Sequence, residues 1–254
     1  MLYLIGLGLN KDGISKQGME IAKHAKKVYL ENYTVELPYS PGAIEEFVGK
    51  RVYIADRDFV ESFQIIDEAA RVDIALLIYG SPLTATTHIA ILEEAKKSKV
   101  KVKVIPSASV IDGVAETGLQ LYKFGKIASM PKWDKDKNFS PESFVETIQH
   151  NLSMKAHTLI LIDIGLRFRD ALRQLEEASK KNNLNIKELI VCQCLGTERQ
   201  RIYYADLEKI KELREISPPY CFVVPSKMHF MEKEYLENFR FDKAARKKGK
   251  NFKY

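Results

Sequence analysis

The sequence contains few cysteines, and their arrangement excludes a disulfide framework. Only three of its 254 residues are cysteines: Cys192, Cys194 and Cys221. The number is odd, and the C-x-C pair has no second pair of ligand residues nearby to complete a metal site. We therefore expect buried free thiols and no bound metal.

Long apolar runs and targeting signals are also missing. No hydrophobic stretch reaches the roughly 18 to 20 residues that a membrane-spanning helix requires. The first residues, MLYLIGLGLN, have no basic segment before their apolar run and no small-residue cleavage pattern after it, so they indicate a core strand and not a signal peptide. We expect a cytoplasmic protein that does not contact membranes.

Several familiar catalytic motifs are absent. The sequence has no H-E-x-x-H, no P-loop, no recognisable Ser/His/Asp spacing and no obvious carboxylate pair. This favours chemistry in which a cofactor supplies the reactivity and the protein positions it. The pattern assigns no catalytic residue, and His88 taken alone fits a packed or capping histidine as well as a base.

Acidic residues are missing from the C-terminal end. Lys243–Tyr254 contains six basic residues and no acidic one, which accounts for the whole formal net charge of +6. Residues 1–242 therefore carry no net charge, which gives no support to nucleic-acid binding across the folded body. We interpret residues 241–254 as a basic, disordered tail, and the alternative is a weak contact between this tail and RNA.

Apolar runs alternate with amphipathic stretches along the rest of the chain, which indicates an α/β protein with a mainly parallel sheet in its first half. In that half, strands are expected at 2–5, 28–30, 51–55, 74–78 and 102–105, and helices at 15–25, 61–71 and 87–97. Ser15 is the expected N-cap of the first helix.

A second set of elements follows a glycine-containing stretch. Strands are expected at 127–130, 158–164, 189–194 and 220–224, and helices at 141–154, 168–181, 207–213 and near Glu232. Ser140 would cap the helix that begins at Pro141. We therefore expect two α/β domains, 1–110 and 111–240, and ligands often bind between domains of this kind.

Small residues follow several of the expected strands. The first such motif is Gly6-Leu7-Gly8-Leu9. A dinucleotide site is the alternative here, because Glu31 stands where a ribose-binding acid would end the second strand. However, Lys11 occupies the position of the third glycine, and the first helix begins too late for its N-terminus to face a pyrophosphate.

Three further motifs resemble the first in their position after a strand. They are Y-G-S-P-L-T-A-T-T-H at 79–88, S-A-S-V-I-D-G at 107–113 and V-P-S-K-M-H at 224–229. In parallel sheets, ligands bind at the carboxyl ends of the strands. The ordinary structural explanation of the motif at 79–88 is a strand-to-helix turn, which Thr86 or Thr87 would cap.

Together, in their order and spacing, these segments resemble the diphthine synthases. The matching stretches are MLYLIGLGL, GSPLTATTH, SVIDGVAETGLQLYKFGK, HTLILIDI and VPSKMHFMEKEYL, and the resemblance covers about residues 1 to 240. The glycine loop and A-T-T-H are shared by many class III methyltransferases. The T-G-L-x-x-Y-K-F-G-K and P-x-K-x-H segments are more particular to diphthine synthases.

The resemblance implies the tetrapyrrole-methylase fold, with two α/β domains, a ligand cleft between them and a homodimer. It also implies an S-adenosylmethionine-dependent methyltransferase that modifies the 3-amino-3-carboxypropyl-histidine of translation elongation factor 2 in diphthamide biosynthesis. The cofactor contacts that it implies are Leu9, Ser81, Thr84, Ser109, Val110, Ile162, Leu195 and His229. Several of these would act through backbone groups, and for a methyl transfer of this kind His88 and His229 are candidates for orienting groups.

The chain departs from the family pattern at two places. Ser81 stands where the family usually has an aspartate, and Gln193-Cys194-Leu195-Gly196 replaces the more usual A-R-A-G. A serine offers only a neutral donor and acceptor to a cationic ligand. The alternatives to the diphthine synthase function are a tetrapyrrole-precursor methyltransferase or an RNA methyltransferase of the same fold, or a nucleotide-binding module without catalysis.

Overall fold

The computed structural model describes residues 1–214 and 216–241, which form two compact units. The first unit comprises Met1–Gly113 together with Gly196–Glu198, and the second comprises Val114–Leu195 and the described residues from Arg199 onward. Each unit contains one five-stranded sheet. Phe241, the first residue of the expected basic tail at 241–254, is buried, and the rest of that tail lies outside the described residues.

The first unit contains a sheet in which every paired strand is parallel. Its strands are β1 (Leu2–Gly6), β2 (Lys27–Glu31), β3 (Val52–Ala55), β4 (Ile74–Ile78) and β5 (Val102–Ile105). They lie in the order β3-β2-β4-β1-β5, so β1 pairs with both β4 and β5. β4 is buried along its whole length, as expected for a strand covered on both faces.

Helices cover both faces of this sheet. They are α1 (Lys16–His24), α2 (Pro41–Val48), α3 (Arg57–Glu61), α4 (Gln64–Ala69), α5 (Ile89–Lys97) and α6 (Val110–Gly113). α1 and α2 contribute to the apolar core on one face, and α3, α4 and α5 to the core on the other. Ser15 caps α1 as expected, because its Oγ accepts the backbone N–H of Gly18.

The structure corrects three expectations for the first unit. The single helix expected at 61–71 is two helices, since Phe63 adopts a left-handed conformation (φ 63°) between α3 and α4. α2 was not expected. α5 begins at Ile89, after an N-cap at His88, and not at Thr87.

The second unit contains a mixed sheet. Its strands are β6 (Ala128–Met130), β7 (Thr158–Ile162), β8 (Glu188–Gln193), β9 (Arg201–Asp206) and β10 (Tyr220–Val224), in the order β6-β7-β10-β8-β9. Only β6 and β7 pair in parallel, and the other three pairs are antiparallel. β9 was not expected from the sequence.

The helices of this unit are α7 (Ser143–Ser153), α8 (Phe168–Lys181), α9 (Leu207–Ile210) and α10 (Phe230–Leu236), and 3₁₀ turns occur at Val114–Thr117, Leu121–Lys123 and Glu237–Phe239. α7 and α8 contribute to one apolar core with strands of the sheet. The expected start of α7 at Pro141, capped by Ser140, is wrong. The Pro141 carbonyl instead accepts Trp133 Nε1–H at 3.0 Å, and the helix begins two residues later.

The state of the cysteines agrees with the sequence analysis. Cys192, Cys194 and Cys221 are buried free thiols, and Cys192 lies opposite Cys221 on neighbouring strands. Within residues 1–214 and 216–241, no helix is long and apolar enough to cross a membrane. The same residues contain no cluster of three or more His, Cys, Asp or Glu side chains that could hold a metal ion.

Candidate functional site

The loops that follow β1 and β4 are joined by a short backbone bridge at the carboxyl edge of the first sheet. The Gly8 N–H donates to the Gly80 carbonyl at 3.1 Å, and the Gly80 N–H donates to the Gly8 carbonyl at 2.9 Å. Both glycines have positive φ, 70° and 75°. Glycine adopts this conformation without the strain that a side chain would add. The bridge therefore depends on two of the glycines that the sequence motifs contain.

The loop that follows β5 packs against the same edge. A Cβ at Gly6 would lie 2.6 Å from the Gly80 carbonyl oxygen and 2.9 Å from the Ser107 Cβ, so no larger residue fits there. Ser107 Oγ also donates to the Gly13 carbonyl at 2.9 Å. Three motifs that are far apart in the sequence thus meet at one edge of the sheet, where α/β proteins bind ligands.

Three of the expected cofactor residues lie in the loops after β1 and β4. Leu9 is buried, whereas Ser81 and Thr84 are half-buried. The Thr84 N–H donates to the Ser81 carbonyl at 3.0 Å, which closes a tight turn over Pro82. Leu9 is packed closely, since a Cβ at Gly196 would lie 2.8 Å from the Leu9 Cβ.

Ser109 and Val110 lie after β5, where α6 begins. Ser109 is buried, and both its N–H and its Oγ donate to the Asp112 carboxylate, at 2.7 and 2.9 Å. The Ser109 backbone N–H is the main cause that lowers the pKa of Asp112. Val110 is half-buried at the start of the helix. Ser109 therefore shapes the turn with its own side chain.

His88 supports the loop after β4 from inside the protein. Its side chain is buried, and Nδ1 lies 2.9 Å from the Pro82 carbonyl oxygen. Because a carbonyl only accepts, Nδ1 must carry the proton. The Tyr33 hydroxyl lies 3.5 Å from Nε2 on the other side of the ring. His88 thus holds the chain between Ser81 and Thr84.

Glu31 does not have the surroundings of a ribose-binding residue. Its buried carboxylate accepts the backbone N–H groups of Tyr33 and Thr34, at 2.8 and 2.7 Å, and the Thr34 hydroxyl at 2.6 Å. These three donors belong to the turn that follows β2. The geometry therefore argues against the dinucleotide alternative.

The remaining expected residues belong to the second unit. Ile162 is the last residue of β7 and is half-buried, and Leu195 follows β8 and is buried. Cys194, between β8 and Leu195, has a positive φ of 47°. His229 is the exposed N-cap of α10. Ile162 and Leu195 thus lie at or just beyond the ends of strands.

The His229 ring has a defined orientation. Nδ1 accepts the Met231 N–H at 3.4 Å, while the His229 N–H donates to the Glu232 carboxylate at 2.6 Å. A ring nitrogen that accepts an N–H has no proton, so in the neutral ring the proton is on Nε2. His229 therefore offers an Nε2–H donor from an exposed position.

Sequence reasoning did not identify Glu232, which is the buried acceptor behind His229. Its carboxylate is 1% exposed and receives four donors: the N–H groups of Gln120 (2.9 Å) and His229 (2.6 Å), the Lys123 ammonium, and His157 Nε2 (3.3 Å). Burial alone would raise its pKa, but these hydrogen bonds and charges lower the pKa to about 2. The H-x-x-E spacing of a capping box was the available signal.

His157 completes the buried group around Glu232. Its Nδ1 accepts the Ser226 N–H at 2.9 Å, so its proton is on Nε2 and is donated to Glu232. Burial lowers the pKa of His157, which favours the neutral ring. Two sequence segments that are particular to diphthine synthases, around 117–126 and 225–229, are thereby connected through one carboxylate and one imidazole.

Comparisons with known proteins agree with these motifs. Residues 1–211 match the family described as Tetrapyrrole (Corrin/Porphyrin) Methylases. Diphthine synthase of Methanocaldococcus jannaschii is 35% identical, over 93% of this chain and 98% of its own length. The chain belongs to the tetrapyrrole methylase family and, within it, to the diphthine synthases.

Two further diphthine synthase relatives support the assignment. A protein of Arabidopsis thaliana named "Probable diphthine methyl ester synthase" is 33% identical, over 95% of this chain and 99% of its own length. A crystal structure of diphthine synthase has a TM-score of 0.84 and 33% identity, and the match covers 94% of this chain and 95% of that one. The fold class expected from the sequence is confirmed, and the chain is a methyltransferase.

Proposed function

We propose that this diphthine synthase relative transfers methyl groups from S-adenosylmethionine to the 3-amino-3-carboxypropyl arm on the modified histidine of translation elongation factor 2. Similarity to diphthine synthases over nearly the whole chain is the observation that carries the proposal. The Glu232 group adds to it, because this group connects the two segments that are most particular to those enzymes.

The residues after β1, β4 and β5 suit a small cofactor. Gly6, Gly8 and Gly80 have no side chains to cover the backbone at the carboxyl edge of the sheet. Added Cβ atoms at these positions would meet neighbouring groups or require a strained φ. Backbone N–H and C=O groups can therefore approach a ligand closely. We assign S-adenosylmethionine to the residues that the sequence motifs indicate: Leu9, Ser81, Thr84, Ser109, Val110, Ile162, Leu195 and His229.

The chain acts mainly by positioning the reacting groups. When bound, S-adenosylmethionine supplies an electrophilic methyl group on a cationic sulfur. The protein must hold the acceptor nitrogen in line with that methyl group, and such alignment accounts for much of the acceleration in displacement reactions. His88 and His229 act as orienting groups in this proposal: His88 through the Pro82 carbonyl, and His229 through its Nε2–H.

The charge distribution favours a folded protein substrate over a polyanion. Residues 1–242 have no net charge, whereas proteins that bind nucleic acids or polycarboxylates present an excess of positive charge. A tetrapyrrole precursor or RNA would therefore be a poor match for this body. The basic residues between Lys243 and Tyr254 are the only sequence feature that favours RNA.

A direct assay tests the proposed function. Purified elongation factor that carries the unmethylated 3-amino-3-carboxypropyl arm is incubated with the enzyme and S-adenosylmethionine, and the modified peptide is analysed by mass spectrometry. We expect added methyl groups on the arm's nitrogen. Factor with an unmodified histidine is the matched control and should gain none, because its imidazole has no amine to be methylated.

The same experiment distinguishes N-methylation from methyl-ester formation. Some relatives are named diphthine synthase and others diphthine methyl ester synthase, so each product is also treated with mild base, which removes a methyl ester but not an N-methyl group. Methyl transfer to tRNA, rRNA or a porphyrinoid, with none to the half-modified factor, would contradict the proposed substrate and leave the family assignment intact.

The assembly and location belong to the same proposal. We propose a cytoplasmic homodimer, on the basis of the family resemblance. Sedimentation at micromolar concentration measures the mass directly, and a monomer would contradict this part of the proposal alone.

A further inference from the structure

Glu232 occupies an unusual position for a carboxylate, because its side chain is almost fully buried and is surrounded by donors from separate parts of the second unit. The donors come from the 3₁₀ turn region at Gln120 and Lys123, from His157 before β7 and from His229 before α10. A buried carboxylate with this many donors is ionised and held in one place.

The Glu232 group contains one full positive charge close to the carboxylate. Lys123 forms an ion pair with Glu232, and the buried His157 ring is kept neutral. Buried ion pairs seldom stabilise a fold more than well-packed apolar side chains of the same volume. Stability alone therefore gives little reason for this arrangement.

His229 is also an unusual N-cap. Ser, Thr, Asp and Asn are the residues that cap helices well, and any of them would cap α10 with a shorter side chain. Histidine at this place instead leaves an exposed imidazole whose Nδ1 is engaged by Met231 and whose backbone N–H is engaged by Glu232. The hydrogen bond from the Met231 N–H to Nδ1 sets the direction of Nε2–H, and the bond from the His229 backbone N–H to Glu232 holds the residue that carries the ring in place.

A second contact fixes α10 independently of Glu232. Gly118 has a φ of 81°, and an added Cβ there would enter the Tyr235 ring. The segment around Gly118 is thus in direct contact with the helix that His229 caps. Two separate contacts therefore hold α10 to the 117–123 segment.

We propose that Glu232 is a positioning residue of the methyl-transfer site, and that it acts by holding His229 so that the imidazole Nε2–H is directed at the bound S-adenosylmethionine. The inference rests on the proposed function, in which His229 contacts this ligand. Lys123 and His157 keep the carboxylate ionised and fixed, and neither touches the ligand in this proposal.

The first test compares four proteins by calorimetric titration with S-adenosylmethionine: wild type, Glu232→Gln, His229→Ala and the double variant. Each single variant should raise the Kd at least about tenfold, which corresponds to about 1.4 kcal/mol. If Glu232 acts through His229, both substitutions remove the same contact with the ligand. The Kd of the double variant should then be no higher than that of the single variant with the higher Kd.

Glu188→Gln is the matched control. Glu188 is also a carboxylate that accepts a side-chain donor, from the Tyr204 hydroxyl at 2.5 Å, but it lies at the amino end of β8. This variant should lower the thermal midpoint without changing the Kd for S-adenosylmethionine. If Glu232→Gln does not fold, Lys123→Met takes its place in the titration. We expect this variant to raise the Kd for S-adenosylmethionine at least about threefold.

A spectroscopic measurement separates positioning from simple stabilisation. Nitrogen-15 spectra of the imidazoles report which ring nitrogen carries the proton, and His229 should be the Nε2–H form in the wild type and a mixture in Glu232→Gln. A lower thermal midpoint with unchanged Kd and unchanged His229 spectrum would overturn the inference, as would strictly additive effects. A wild-type protein that binds no S-adenosylmethionine would overturn the proposed function and this inference with it.

Discussion

Ser81 is the residue at which the chain departs most clearly from the family pattern. Its side chain is half-buried, and its carbonyl accepts the Thr84 N–H in the loop after β4. We predict that Ser81→Asp leaves the affinity for S-adenosylmethionine unchanged or increases it, because the ligand is cationic at sulfur and opposite charges attract. Calorimetric titration measures the Kd. A tenfold or larger increase in Kd would show that the loop is adapted to the neutral serine.

Glu232 gives a second prediction at the residue scale, which concerns stability and pH. The pKa of its carboxyl is lowered from 4.5 to about 2 in the folded protein. A lowered folded-state pKa means that the stabilisation is fully present above the unfolded pKa and is lost as the pH falls towards the folded one. We therefore expect the thermal midpoint of the wild type to exceed that of Glu232→Gln at pH 7, and the difference to shrink between about pH 4.5 and pH 2.

The same two proteins provide the control for this pH dependence. Other carboxylates titrate in both of them, so only the difference between the midpoints reports on Glu232. A difference that stays constant from pH 7 down to pH 3 would contradict the assigned pKa.

Single residues differ in how well the sequence predicted their surroundings. Ser15 was predicted as an N-cap, and its Oγ accepts the Gly18 N–H as the motif requires. Glu232 was not predicted, because three of its donors lie 75 to 112 residues away in the sequence. Local spacing determines a cap, whereas a buried carboxylate depends on partners that only the tertiary fold brings together.

At the scale of elements, the contact between Gly118 and α10 can be tested by an added methyl group. Gly118→Ala introduces both backbone strain at φ 81° and overlap with the Tyr235 ring. Gly165→Ala, in the same unit, introduces strain at φ 71°, but its Cβ would meet no atom within 4 Å. Left-handed strain alone costs about 1 to 2 kcal/mol, and overpacking adds about 1 to 3 kcal/mol.

We therefore predict that Gly118→Ala lowers the free energy of unfolding by at least about 1 kcal/mol more than Gly165→Ala. Urea titration followed by circular dichroism measures both values. Because Gly118→Ala also displaces α10, it should weaken S-adenosylmethionine binding, whereas Gly165→Ala should not. Equal losses of stability in the two variants would show that the Tyr235 ring moves aside freely.

The helices and strands differ in how well sequence patterns predicted their bounds. β4 and α8 were predicted to the residue or nearly so, because a continuous apolar run and a long amphipathic stretch each have a single interpretation. The interval 57–69 was predicted less well, since periodicity continues across it while Phe63 breaks the backbone. β9 was missed because Arg201–Asp206 mixes exposed and buried positions at a sheet edge.

At the scale of the whole molecule, the sequence indicated two α/β halves and a parallel first sheet, and the fold class is confirmed. It did not indicate that the second sheet is largely antiparallel, since strand direction depends on connections that apolar patterns do not encode. The loops of the first unit were predicted from their position after strands. The eight expected cofactor residues came from the family resemblance, which implies that several of them would act through backbone groups. Contacts of that kind leave little trace in side-chain type.

The last prediction concerns how the whole molecule meets its substrate. All of the net charge lies between Lys243 and Tyr254, and the rest of the chain is neutral overall. If elongation factor 2 docks on the neutral body, its KM should change less than about twofold between about 50 mM and about 500 mM salt, because there is no net charge for salt to screen. A variant that ends at Asp242 should show the same KM, the same weak salt dependence and nearly the same thermal midpoint. Charge-driven docking predicts the opposite: a KM that rises steeply with salt in the full chain and a salt dependence that disappears in the shortened one. Steady-state methylation assays of both proteins across this range of salt distinguish the two modes of docking.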